Sequence, residues 1–119
     1  IKKTVVEELT AKVMGSGRLD VFATPAMVAM MEEAAHTSVE AELEEGQGTV
    51  GTSMTVSHLA ATPVGMEVTC ESELVEVDGR KLVFEIKAMD EAGLIGEARH
   101  ERFIIENEKF LAKTNAKLK

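Results

Sequence analysis

The sequence has no tryptophan, no tyrosine and only four phenylalanines. Its core must therefore be built mainly from aliphatic side chains, with seven methionines supplying adaptable apolar volume. A single cysteine, Cys70, excludes an internal disulfide and fits a reducing, cytoplasmic setting. No apolar run approaches the roughly 20 residues that a membrane span needs. No signal-peptide pattern opens the chain. The first residue is Ile rather than Met, so that reading covers only the residues in hand. Positive charge is in the minority, with 13 Lys and Arg against 21 Asp and Glu and a net charge of −8. That balance argues against a nucleic-acid binder and against a polybasic membrane surface.

What is present is ordinary globular material: 119 residues, 45% hydrophobic and 29% charged. This length predicts one domain over residues 1–119 with a modest core. Neither an internal repeat nor a low-complexity segment interrupts it.

One stretch organises the rest. Phe22 to Met31 carries no charge, and Pro25 suits the first turn of a helix, with Thr24 before it as an N-cap. Ala26 to about Glu44 contains no Gly or Pro, which predicts a long helix. At about 100° per residue, Met27, Met30, Met31, Ala34, Ala35, Val39 and Leu43 share one broad arc. Glu32 projects inside that arc. A carboxylate there must meet a partner, meet water or hold a proton, because burying it unpaired costs roughly several kcal/mol. Such a group is a candidate general base.

Before the helix, residues 2–13 read as a strand and 14–18 as a loop. After it, Gly46 and Gly48 mark an exit turn. Thr49–Ala61 reads as a strand with Val50, Thr52, Met54, Val56 and His58 on one face. Gly51 within it signals a bulge or a close backbone approach. Thr62-Pro63-Val64-Gly65 is a turn. Met66–Val77 and Lys81–Met89 form a hairpin around Asp78-Gly79. The last strand, Leu94–Ile105, puts Leu94, Gly96, Ala98, His100, Arg102 and Ile104 on one face, with room above Gly96 and Ala98. Arg102 there reads either as a core-edge ion pair or as a ligand clamp. Residues 106–119, with Lys109, Lys113, Lys117 and Lys119, read as a short basic amphipathic helix. The order β-α-β-β-β-β, with one apolar helix against one antiparallel sheet, is an α+β domain. Dimerisation is the simplest cover for the sheet's outer face and the helix ends.

The chain contains no P-loop, no dinucleotide fingerprint and no Gly-x-Ser-x-Gly elbow. The zinc-binding His-Glu-x-x-His order is absent as well, and no cofactor or metal is expected. His36 reads as one member of a helical i,i+4 surface pair, and Cys70 as an inert packing residue.

Several blocks together resemble a family. They are Val21-Phe22-Ala23-Thr24-Pro25-Ala26-Met27-Val28, the Met31-Glu32 pair, and Gly51-Thr52-Ser53-Met54-Thr55-Val56-Ser57-His58 followed by Ala60-Ala61-Thr62-Pro63-Val64-Gly65. Val77-Asp78-Gly79-Arg80-Lys81-Leu82, Ile95-Gly96-Glu97-Ala98-Arg99-His100-Glu101-Arg102-Phe103 and Glu108-Lys109-Phe110 extend them over roughly residues 13–113. Collectively they look like the hotdog-fold thioesterases related to fluoroacetyl-CoA thioesterase.

The resemblance implies a hotdog fold, a five-stranded antiparallel sheet wrapped around one central helix. It also implies a homodimer, or a higher oligomer built from it, with acyl-CoA bound between subunits and coenzyme A present only as part of the substrate. It assigns catalytic roles to Thr24, Glu32 and His58, and substrate-binding roles to Gly51 and Arg102. Relatives that take the fluorinated substrate carry an aromatic-rich lid before the Phe-Ala-Thr run. Here the equivalent is Gly15-Ser16-Gly17-Arg18-Leu19-Asp20, and Glu33 rather than an aromatic follows Glu32. These departures point to a short- or medium-chain acyl-CoA thioesterase. Two other readings stand beside it. A hotdog enoyl-CoA hydratase would carry an Asp-x-Asn-Pro-x-His pattern near the helix start, which Thr24-Pro25 lacks. A non-catalytic acyl-CoA binding protein would not need Thr24, Glu32 and His58.

Overall fold

A computed structural model describes residues 1–118. Five antiparallel strands form one sheet in the order β1-β3-β4-β5-β2. They are β1 (Lys2–Thr4), β2 (Gln47–His58), β3 (Glu67–Asp78), β4 (Lys81–Asp90) and β5 (Gly93–Glu106). The long helix α2 (Thr24–Val39) lies against β3, β4 and β2. This is the hotdog arrangement expected from the sequence. Met27, Met31 and Ala35 of α2 are fully buried against Val68, Cys70, Phe84, Ile86 and Ala88 of the sheet. Ser72 Oγ donates to the Ala34 carbonyl at 3.1 Å and ties β3 to the helix. The room predicted above Gly96 is filled by Met27. A Cβ on Gly96 would lie 2.7 Å from the Met27 sulfur.

Three bulges shape the sheet, at Gly51/Ser53, Leu74/Glu76 and Ala88/Met89. A bulge adds twist and reverses the alternation of faces beyond it. Two predicted faces change for that reason. In β2 the inward side chains are Thr49 and then Met54, Val56 and His58, while Thr52 turns outward and donates to the Glu101 carbonyl. At the start of β5, Leu94 is exposed and Ile95 is buried.

The segment predicted as a first strand over 2–13 is mostly something else. After the three residues of β1 come a 3-10 turn at Glu7–Leu9 and the short helix α1 (Ala11–Met14). Thr10 caps α1 by accepting from the Val13 N–H, and Gly15 closes it at φ 78°. Those local bonds compete with a strand ladder, and the imperfect alternation leaves little to oppose them. Helix α2 also stops earlier than Glu44. It ends at Val39 and passes into a 3-10 turn at Glu40–Glu42.

The sheet's outer face is largely charged, with Phe103 exposed among the charges. It carries Glu71, Glu73, Glu85, Lys87, Glu97 and Arg99, all exposed or half-exposed, with Arg99 3.9 Å from Glu85. Cys70 is buried, and burial pushes its thiol up to about 11, as befits a packing residue. His36 pairs with Glu40 at 3.0 Å, the expected i,i+4 contact. The tail forms α3 (Asn107–Asn115), with Phe110 and Leu111 exposed. Lys119 of the predicted tail lies outside the described residues. Among those residues no helix is long and apolar enough to cross a membrane.

Candidate active site

Ala23, not Thr24, is the N-cap of α2, and Thr24 opens the first turn with Pro25 beside it. The Thr24 hydroxyl is thereby freed from capping. It lies 2.7 Å from Nδ1 of His58, the last residue of β2. His58 Nε2 is buried and has no protein partner. With the hydroxyl donating to Nδ1, the imidazole carries its proton on Nε2, where no protein acceptor meets it. Burial pushes the His58 pKa below its ordinary value, opposed by the Ala60 backbone, so the ring is neutral at pH 7. A cleft of about 320 Å³ opens here, lined by Ala11, Val21, Phe22, Leu59 and Ala61 beside Thr24 and His58.

Glu32 stands further along α2, roughly 12 Å from Thr24 at the standard rise per residue. Two of the outcomes open to its carboxylate are realised. It meets a partner, because Arg102 Nη1 donates to Oε2 at 3.2 Å, and it meets water, because its side chain is 42% exposed. Arg102 is 6% exposed. Its Nε donates to Thr49 Oγ1 at 2.8 Å and its Nη2 to the Thr49 carbonyl at 2.9 Å. Within one chain the guanidinium makes the ion pair with Glu32.

Gly51 sits opposite Arg102 in the ladder, at the bulge. A Cβ there would lie 2.8 Å from Glu32 Oε2, 3.2 Å from His100 Cε1 and 3.4 Å from Arg102 Nη1. Only glycine lets the backbone approach the carboxylate this closely.

His100 has no assigned role in the sequence reading, which places it only on the inward face of the last strand. It is 1% exposed. Its Nδ1 donates to the Ser53 carbonyl at 2.8 Å, and its Nε2 accepts from Arg102 Nη1 at 3.1 Å. These two bonds assign the neutral tautomer with the proton on Nδ1. Burial lowers the His100 pKa most strongly; Arg102 lowers it too, while the Ser53 carbonyl and Glu32 oppose. The available signal was a second polar side chain two residues before Arg102 on the same strand face.

Both imidazoles are held below the ordinary value of about 6.5. Between that value and the depressed one, the unfolded chain binds more protons than the native state. Stability from this source is therefore fully present above about pH 6.5 and is lost as the pH falls through the depressed folded-state values. Urea unfolding midpoints should drop over that window, and His100→Gln should flatten the drop.

The structure brings Thr24 to His58, and Glu32 to Arg102 and Gly51. Within one chain, Glu32 makes no hydrogen bond to Thr24 or His58 among the described residues.

The family model for fluoroacetyl-CoA-specific thioesterase matches residues 5–108. The fluoroacetyl-CoA thioesterase of Streptantibioticus cattleyicolor is 45% identical over 98 residues, 82% of this chain and 70% of that protein. Among solved structures, a point mutant of the fluoroacetyl-CoA-specific thioesterase FlK in complex with fluoroacetate and CoA superposes with a TM-score of 0.93. It is 37% identical, over 98% of this chain and 96% of that one. A thioesterase superfamily member from Thermus thermophilus is similar at 30% identity, with a TM-score of 0.90 over 98% of this chain and 86% of that one.

Proposed function

Because this chain belongs to the fluoroacetyl-CoA-specific thioesterase family, we propose that it hydrolyses the thioester of a short- or medium-chain acyl-CoA to the free acid and CoA, and that its site is completed between two copies of the chain. The observation that carries this reading is the Thr24–His58 hydrogen bond, which leaves His58 Nε2 unpartnered at the edge of an apolar cleft.

The chemistry assigns each group a task. Glu32 takes a proton from water, whose oxygen attacks the thioester carbonyl carbon. Arg102 holds the carboxylate in place and keeps a positive charge beside it. The Gly51 backbone and the positive end of α2 at Thr24 stabilise the oxyanion as it develops. Collapse of the tetrahedral intermediate breaks the C–S bond. The proton that Glu32 took from water passes to the departing thiolate, neutral His58 steadies that sulfur by a hydrogen bond from Nε2–H, and Thr24 fixes the ring orientation through Nδ1.

These tasks need Glu32 and His58 around one carbonyl, which a single chain does not provide. Strand β2 supplies the remedy. It is an edge strand of twelve residues, beyond which no strand pairs among the described residues. A long open edge is a template for pairing. Antiparallel pairing of β2 with its own copy lays the end bearing His58 beside the end bearing Gly51 of the other strand. The Thr24–His58 pair of one protomer then faces Glu32, Gly51 and Arg102 of the second, so the homodimer carries two equivalent sites. The cleft at Thr24 lacks the Phe-bearing lid of the fluoroacetyl enzymes, which supports longer or unfluorinated acyl groups.

The test is thiol release over a panel of acyl-CoA chain lengths, with fluoroacetyl-CoA included. Turnover is expected to peak on short or medium unfluorinated chains. Hydration of an enoyl-CoA without thiol release, or tight acyl-CoA binding without turnover, would overturn the reading.

A further inference from the structure

We propose that His100 is a positioning residue of this site, a neutral imidazole strut that aims the Arg102 guanidinium at Glu32 and locks it to the β2 bulge. The proposal rests on the thioesterase reading of Glu32. Arg102 Nη1 carries two hydrogens, and its two acceptors are His100 Nε2 and Glu32 Oε2. Without an acceptor at the first position, that N–H is buried and unsatisfied, and the guanidinium must rotate to recover a partner. On its other side, His100 Nδ1–H holds the Ser53 carbonyl, just past the register shift at Gly51. One ring therefore fixes both the cation that orients the carboxylate and the backbone bend that brings Gly51 against it. Phe84 packs beside the ring, with centroids 6.2 Å apart, and restrains its tilt.

The alternatives for His100 are an inert core residue and a proton carrier. Neither explains why its one free nitrogen faces a cation that only donates. A protonated ring would set two donors against each other in a buried site. His100 has almost no exposure to solvent, so it acts through Arg102 and not on substrate.

Three variants separate these roles. His100→Gln can place its amide oxygen near the Nε2 position and still accept from Arg102. His100→Asn can place its amide N–H near the Nδ1 position and still donate to Ser53, but leaves Arg102 unanswered. His100→Phe keeps the volume and removes both bonds. For whichever acyl-CoA the wild type hydrolyses, kcat is expected to fall about 10- to 100-fold in His100→Asn and His100→Phe, with KM within about twofold. His100→Gln is expected to recover most of that loss. Long-range 1H–15N correlation on the wild type should show a neutral ring protonated at Nδ1 at pH 7.

Equal rates in the Asn and Gln variants, a change confined to KM, or an Nε2-protonated ring would each overturn the proposal. If His100→Phe does not fold, the Gln–Asn comparison and the ring tautomer still decide. Absence of thiol release by the wild type would sink the thioesterase reading, and the proposal that rests on it, while leaving the tautomer measurement to test the bonding by itself.

Discussion

Glu32→Gln should lower kcat for thiol release by about 10²- to 10⁴-fold, the range associated with removing a general base, and leave KM within about threefold. The substitution isolates charge from shape. A glutamine amide oxygen still accepts from Arg102 Nη1, now 3.2 Å from Oε2, and occupies the same space beside Gly51. If Glu32 were only a structural partner for Arg102, the rate would survive and only stability would change. That stability change should be small. The Arg102 guanidinium is buried but still held by Thr49 and His100, and Glu32 is 42% exposed, so losing the counter-charge costs about 1 kcal/mol rather than the larger penalty of a fully buried pair. Thermal melts of the variant beside its kinetics separate the two accounts. A kcat within about fivefold of wild type would remove Glu32 from the chemistry.

Much of this site is legible in the residues, and the illegible part has a definite cause. Glu32 stands out because helical periodicity puts a carboxylate between Val28, Val39 and Leu43, where apolar side chains belong. Gly51 stands out because strands seldom carry glycine without a bulge or a close approach, and here it has both. Strict alternation cannot show what the bulge does. Carried through Thr52, it assigns Val50 and Thr52 to the face of His58. The inserted residue instead turns Thr49 inward, where it receives Arg102. The partner of Arg102 is likewise hidden, because Glu32 and Arg102 are distant in sequence and meet only when the sheet curls over α2. His100 escapes notice for a related reason. A histidine on an inward face is most often a satisfied core residue, and its meaning comes from the cation that shares its strand. At the N-terminus the failure is local. Thr10 and Gly15 supply a cap and a left-handed stop that a weak alternating pattern does not outweigh.

Two inactive variants should restore each other when mixed. A protomer carrying His58→Ala keeps Glu32, and one carrying Glu32→Gln keeps His58. If each site takes its carboxylate from one chain and its imidazole from the partner, a mixed dimer has one intact site and one doubly damaged site. Random exchange makes about half of all dimers mixed, so the mixture should reach about a quarter of wild-type activity. That is a gain of tens- to thousands-fold over Glu32→Gln alone, read by thiol release after co-refolding or co-expression. The proposed pairing of two protomers requires this outcome. Thr24 and Glu32 are roughly 12 Å apart along one helix, too far to share a carbonyl, whereas antiparallel pairing of β2 closes the gap from the other side. Sites contained within single chains would give no recovery at any mixing ratio. A gain that vanished when the two variants were tested in a monomeric form, for example after a charge placed at Thr55 on the β2 edge, would place the reacting groups on opposite sides of the interface.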